Sequence, residues 1–201
     1  MNGLLRYDGF VSNVIRALGN LLLASVLWLI CAVPVFTLGA ASSALYVTVY
    51  RVVRKEEGKT WNVFWHSFRE NFRQATVIWL ICLPILVFLA AAGYNAWVLH
   101  RLEVVSGGLP LAVGLIACGF FAWCSYLFPC VARFHNTTGA MLKNCGLFVS
   151  CHLFSTLGLA LLCLLEAAVF LAVPGLLPLI PGVGTLLKSY IVEHIFGKYA
   201  E

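Results

Sequence analysis

The stretch TVIWLICLPILVFLAAAGYNAWVL, Thr76 to Leu99, holds no charged residue and lies between Arg73 and Arg101. A helix needs about 20 apolar residues to cross the hydrocarbon of a bilayer. This one is long enough to do so, with a kink expected at Pro84. Reading outward from it decides the class of the chain. On its far side, Arg101, Glu103, Gly107 and Gly108 make a short loop, and Leu109 to Ala132 returns as another apolar run. On its near side, Trp61, Phe64, Trp65, Phe68 and Phe72 recur at steps of three and four, the spacing of one helical face. Lys59, His66, Arg69, Glu70 and Arg73 decorate the remainder. This reads as a cytoplasmic amphipathic helix over 60–74 with its rings at headgroup level. The alternative is a docking face for a cytoplasmic partner.

The pattern repeats along the chain. Spans are expected at about 17–36, 38–53, 76–99, 109–132, 145–173 and 183–197, the second and last being short. Of the thirteen Lys and Arg residues, only Arg101 and Lys188 fall on or near one side of this zigzag. That asymmetry is the positive-inside signature and places both termini in the cytoplasm. The fold expected is therefore all-α, a polytopic transmembrane bundle of about six helices forming one domain over 1–201, in the plasma membrane of a bacterium. A composition of 62% hydrophobic and 10% charged residues agrees. A soluble core of this size could not hide so much apolar surface. The net charge of +5 is read as topology and not as nucleic-acid binding, because the cations cluster at run ends.

Three segments carry alternatives. Arg6 and Arg16 ahead of Ala17 to Phe36 also suit a cleaved signal peptide. Against it, the rest of the chain is equally apolar, so the run is read as a retained first span. The second run, Ala40 to Ala44 onward, is short, and its small residues suit a tight hairpin with the first span. A re-entrant helix is the runner-up there. Pro174, Pro178, Pro181, Gly182 and Gly184 read as an outer turn, and the last segment, interrupted by Lys188 and Glu193, reads as a final span or a surface helix.

Ionisable groups inside hydrocarbon mark functional or structural sites by default. Glu166 lies seven residues before the end of its span and Lys188 a few residues into the next. Both then sit about 7–11 Å below the outer boundary, so an ion pair between consecutive helices is expected. A buried pair fixing helix packing is the preferred reading over a coupling-ion or substrate site. His152, one to two turns into the fifth run, reads as a packing histidine. His66, His100, His135 and His194 show no metal-ligand spacing. The eight cysteines form no CxxC pair, and Cys118, Cys124 and Cys130 spread around a helix, so cysteine is taken as a small hydrophobe and no metal or cofactor is expected. There is no GxSxG, HExxH or phosphate-loop motif, and Asp8 is the only aspartate. No catalytic residue is assigned.

The stretch Asn20 to Trp28, then Pro34, Thr37, Gly39, Ala44, Arg51 and Arg54, is similar to the YesL-like family of small bacterial integral membrane proteins. Tyr126, Leu127, Phe128 and Pro129, followed by Arg133, Phe134, Lys143 and Asn144, resemble that family's inner-loop pattern, and Phe64 and Phe72 fit its aromatic linker. The resemblance runs to about residue 160 and brings no catalytic residues. It implies an accessory or assembly role beside a carbohydrate ABC importer, with the importer's permease as partner and the face of Trp61, Phe64, Trp65, Phe68 and Phe72 as the contact. A small-molecule carrier or substrate-capture subunit is the alternative. An intramembrane enzyme is a third, lacking any pair of groups placed for acid and base roles.

Overall fold

The computed structural model describes residues 4–134 and 137–198. His135 and Asn136, expected in an inner loop, lie outside them, as do the ends of the chain on which the expected cytoplasmic termini bear. Among the described residues the protein is an all-α bundle: α1 (Leu4–Ala32), α2 (Leu38–Thr48), α3 (Thr60–Arg101), α4 (Gly108–Arg133), α5 (Thr138–Cys151), α6 (Leu153–Ala172) and α7 (Ile180–Phe196). Five segments are long and apolar enough to cross a membrane: Ser12–Ala32, Val35–Arg54, Thr60–Arg101, Gly108–Arg133 and Leu153–Ala172. The protein thus has the helical make-up of a multi-pass membrane protein. With 17 residues, α7 is shorter than these.

α2 is the axial helix. Residues 39–41 and 43–48 are all buried, and α2 contributes to both core clusters. Ala41, Ala44 and Leu45 join Leu21, Ala24, Leu27 and Phe64 on one side. Ala40 and Tyr46 join Ile78, Tyr126, Leu159 and Phe196 on the other. Small side chains make this position possible, because lipid gives apolar surfaces no reason to leave it and close backbone approach must supply the attraction. The closest approach is to α3 and not to α1, with which a tight hairpin was expected. A Cβ on Gly39 would stand 2.5 Å from the Ala75 carbonyl oxygen and 2.7 Å from the Trp79 Cβ. The turn into α2 is bound to the same place: the Trp79 indole donates to the Val35 carbonyl at 2.7 Å. The Thr37 hydroxyl donates to the Cys31 and Pro34 carbonyls.

Four boundaries differ from the sequence reading. α1 ends at Ala32, not near 36, because Pro34 holds an extended conformation (φ −78°, ψ 108°) and biases the residue before it away from helix. The aromatic segment 60–74 is not a separate interfacial helix but the first part of α3, which runs unbroken for 42 residues. No glycine or proline stands between Arg73 and Thr76 to stop it, and at about 1.5 Å per residue it is about 63 Å long. The run 145–173 is two helices, broken at His152, whose backbone (φ −121°, ψ 55°) leaves the helical region. His152 therefore sits at a joint and not inside a span, its carbonyl taking the Thr156 amide at 2.9 Å and the Thr156 hydroxyl at 3.0 Å. Finally, Pro181, Gly182 and Gly184 lie inside α7, not in a turn. Proline is tolerated in a first turn, where its missing N–H costs nothing, and the glycines face neighbours.

α3 changes partner along its length. Its first half lies beside α2, as the Gly39 contacts show. Its second half pairs with α4, from the Trp79 and Phe128 rings (6.2 Å between centroids) to Gly93 beside Val113. This second half carries exposed Leu80, Ile81, Ile85, Val87 and Phe88. Such a face suits hydrocarbon.

Candidate functional site

α6 and α7 meet at a charge pair. Lys188 Nζ lies 2.7 Å from Glu166 Oε2, with the two side chains 20% and 27% exposed. This is the only hydrogen bond either side chain makes among the described residues. The other carboxylate oxygen, Oε1, is enclosed and receives no donor. It occupies the place where residue 184 would carry a Cβ. A glycine there lets the carboxylate lie against the α7 backbone, where any side chain would displace it. Gly184→Ala is therefore expected to push the carboxylate off α7 and to lower stability by about 1–2 kcal/mol, the range for overpacking against a movable side chain. Thermal unfolding in detergent, compared with the same substitution in a Glu166→Gln background, checks this. An equal loss in both backgrounds would show that the carboxylate is not what alanine displaces.

Beside the pair, α1, α2, α4, α6 and α7 enclose a cavity of about 650 Å³ lined by Trp28, Ser42, Phe128, Cys163, Glu166 and Lys188 among others. Apart from the ion pair, its lining is mostly apolar. The Trp28 indole is already spent on Ser42 Oγ, at 3.2 Å.

A second polar cluster binds α2, α4 and α7. Arg133 Nη1 lies 3.1 Å from Glu193 Oε2, and Tyr46 donates to Glu193 Oε1 at 2.6 Å. Tyr50 stacks parallel to Tyr46 at 6.4 Å. The guanidinium groups of Arg133 and Arg54 stand 5.1 and 5.5 Å from the Tyr50 ring centre. Arg54 also lies 4.3 Å from the Tyr190 ring and donates to the Ser189 carbonyl at 2.9 Å. The backbone reason is local: α2 widens into a π-helical stretch, Val49–Arg54, which carries Tyr50 and Arg54. Such wide turns recur at functional sites. Sequence reasoning missed this cluster, treating Arg54 and Arg133 as topology signals and Glu193 as an interruption. Each cation here has an aromatic or carboxylate partner, so the cluster works as a clamp on three helices.

The aromatic face divides. Phe64 is fully buried between α1 and α2, and Phe68 packs against both core clusters. Trp61 and Phe72 are exposed, at 54% and 37%, and Trp65 is half-buried with its indole N–H enclosed and without a partner. Edge-to-face contacts link Trp61, Trp65, Phe68 and Phe72 in a ladder, with centroids 5.4–5.8 Å apart. The buried stripe of α3 is a different one: Thr60, Phe64, Ser67, Asn71, Ala75, Ile78 and Cys82. Of the face read from the sequence, Phe64 and Phe68 belong to the core. Trp61 and Phe72 remain exposed. Trp61, Asn62, Trp65, His66 and Arg69 outline a shallow recess there.

Two pairs of cysteines approach side by side, Cys82 with Cys124 and Cys130 with Cys145. Among the described residues no group of three or more His, Cys, Asp or Glu is placed to hold a metal ion.

Residues 21–92 match the model of a family described as a protein of unknown function, DUF624. The matched stretch runs from Leu21 in α1, through the axial helix, to Ala92 in α3, and so takes in the aromatic ladder but not Glu166 or Lys188. No enzymatic family is indicated. No curated protein matches the chain, and no solved structure does.

Proposed function

We propose that the protein is a non-enzymatic accessory subunit of the YesL-like kind in the bacterial plasma membrane, docking on the permease of a carbohydrate ABC importer. The observation that supports this reading is the recess on α3, where exposed Trp61 stands beside Arg69 at the end of the bundle that carries Lys55 and Lys59. Tryptophan and arginine are enriched among the residues that carry protein contacts, and the core beneath, through Phe64 and Phe68, fixes the helix that bears them, which lowers the ordering cost of docking. The basic residues at this end, read with α7 as a sixth crossing, support a cytoplasmic side for it.

The test is affinity purification from native membranes in mild detergent, with partners identified by mass spectrometry. Permease is expected with the natural chain and lost from Trp61→Ser/Phe72→Ser, two exposed positions whose change spares the core. Substituting Phe68, by contrast, would damage the fold and prove nothing about docking. Recovery of the chain alone from native membranes would sink the reading and leave the rings as headgroup contacts.

The cavity favours a second reading, a carrier or substrate-capture subunit. Its lining suits an apolar ligand and not a sugar, because each sugar hydroxyl buried without a partner costs about 1–3 kcal/mol. Acid–base chemistry gains nothing here, since Glu166 and Lys188 are engaged with each other.

A further inference from the structure

The cavity between α1, α2, α4, α6 and α7 has a rim unlike its floor. Phe121, Leu164, Phe170 and Leu177 line it and are 36–53% exposed. The first three lie on helices of membrane-crossing length and composition. An opening edged by exposed apolar side chains in that position faces hydrocarbon, so a ligand enters sideways from the lipid. At about 650 Å³ the space falls in the range of small-molecule sites. A hydrocarbon chain fills it favourably, because a dry apolar void lacks contacts on one side.

The ion pair decides the head of that ligand. Glu166 and Lys188 together carry no net charge, so a charged head would leave an uncompensated charge in a low-dielectric site. The pair nevertheless has unused hydrogen-bonding capacity. Lys188 uses one of the three donors of an ammonium, and Glu166 Oε1 has no donor at all. The last torsion of a glutamate is soft. Glu166 lines the cavity, so rotation about that torsion would let a carboxylate oxygen face it. The matching group is neutral and both donates and accepts, which is a hydroxyl. We infer that the cavity binds a neutral lipid alcohol, a hydrocarbon chain ending in hydroxyl, whose O–H donates to the Glu166 carboxylate and whose oxygen accepts from Lys188. This goes beyond the accessory reading and stands on different residues from it.

The experiment uses the full chain in phosphatidylcholine nanodiscs. Hexadecanol and hexadecanoic acid, each with a mid-chain diazirine, are photolysed at a pH where the acid is ionised, and adducts are mapped by peptide mass spectrometry. The alcohol is expected to label the cavity-facing peptides of α4 and α6, to be competed by unlabelled oleyl alcohol, and to exceed the acid by about five-fold, because the ionised head brings an uncompensated charge that costs at least about 1 kcal/mol. Glu166→Gln/Lys188→Met, which keeps the site neutral, should lower alcohol labelling by a similar factor. Ala160→Phe, or Ala117→Phe on α4 should the first not elute as a folded species, should abolish it by filling the space. Labelling that is not competed, or that spreads evenly over the lipid-facing helices, would overturn the site. Equal or stronger labelling by the acid, or no change in the double variant, would overturn the assignment of the head group.

Discussion

Gly39→Leu is expected to yield no stably folded protein, and Gly39→Ala to lose about 3 kcal/mol, the upper end for overpacking a close-packed site. The reason is where the new atoms would go. The first added carbon meets the Ala75 carbonyl oxygen at 2.5 Å, the Trp79 Cβ at 2.7 Å and a Phe128 ring atom at 3.1 Å. Two of these belong to the frame of α3, and neither can swing aside. The axial helix must then separate from α3, giving up contacts along its length, and in lipid no water-driven term compensates. Gly114→Ala, on an open face of α4 with nothing within 4 Å, is the control and should cost nothing. The measurement is the fraction of detergent-solubilised protein that stays monodisperse after graded heating. Equal midpoints for the two alanine variants would show that α2 does not depend on this contact.

Lys188→Met is expected to destabilise by about 2–3 kcal/mol, less than the 3–5 typical of stripping a fully buried partner, because the side chains are 20% and 27% exposed. The lysine leaves behind a carboxylate with one oxygen already lacking a donor. Adding Glu166→Gln should recover most of the loss, since a neutral amide in place of the anion removes the cause. A double-mutant cycle on thermal unfolding reads the coupling directly. Additive losses would mean that the two groups share a location without depending on each other.

What the sequence made legible follows from how strong its local signals are. Uncharged runs such as Thr76 to Leu99 announce a helix of membrane length whatever surrounds them. The all-α class and the multi-pass make-up follow. Counting depth from helix ends points toward the Glu166 and Lys188 contact, because consecutive antiparallel helices leave few other placements. Signals that serve two purposes misled. Gly182 and Gly184 look like turn residues, yet they are where α7 comes close to α1 and Glu166. An aromatic at every third or fourth position looks like one face, yet the stripe that includes Phe64 is turned into the bundle and Trp61 away from it. The break at His152 has no proline or glycine to mark it. The clamp of Tyr46, Arg133 and Glu193 joins residues up to 147 positions apart, and nothing local connects them.

The length of α3 has a mechanical side. At about 63 Å it exceeds the 40–45 Å of a whole bilayer with its headgroups. Its two halves are gripped by different partners, α2 first and α4 afterwards, and Pro84, which leaves the Leu80 carbonyl without its helical donor, stands just past the changeover. The rod thus has one soft joint near its middle. A swing of about 10° about that joint moves a tip about 30 Å away by about 5 Å, at the helical rise of 1.5 Å per residue. Anything that seizes the Trp61 end holds one arm of a lever whose other arm ends at Arg101.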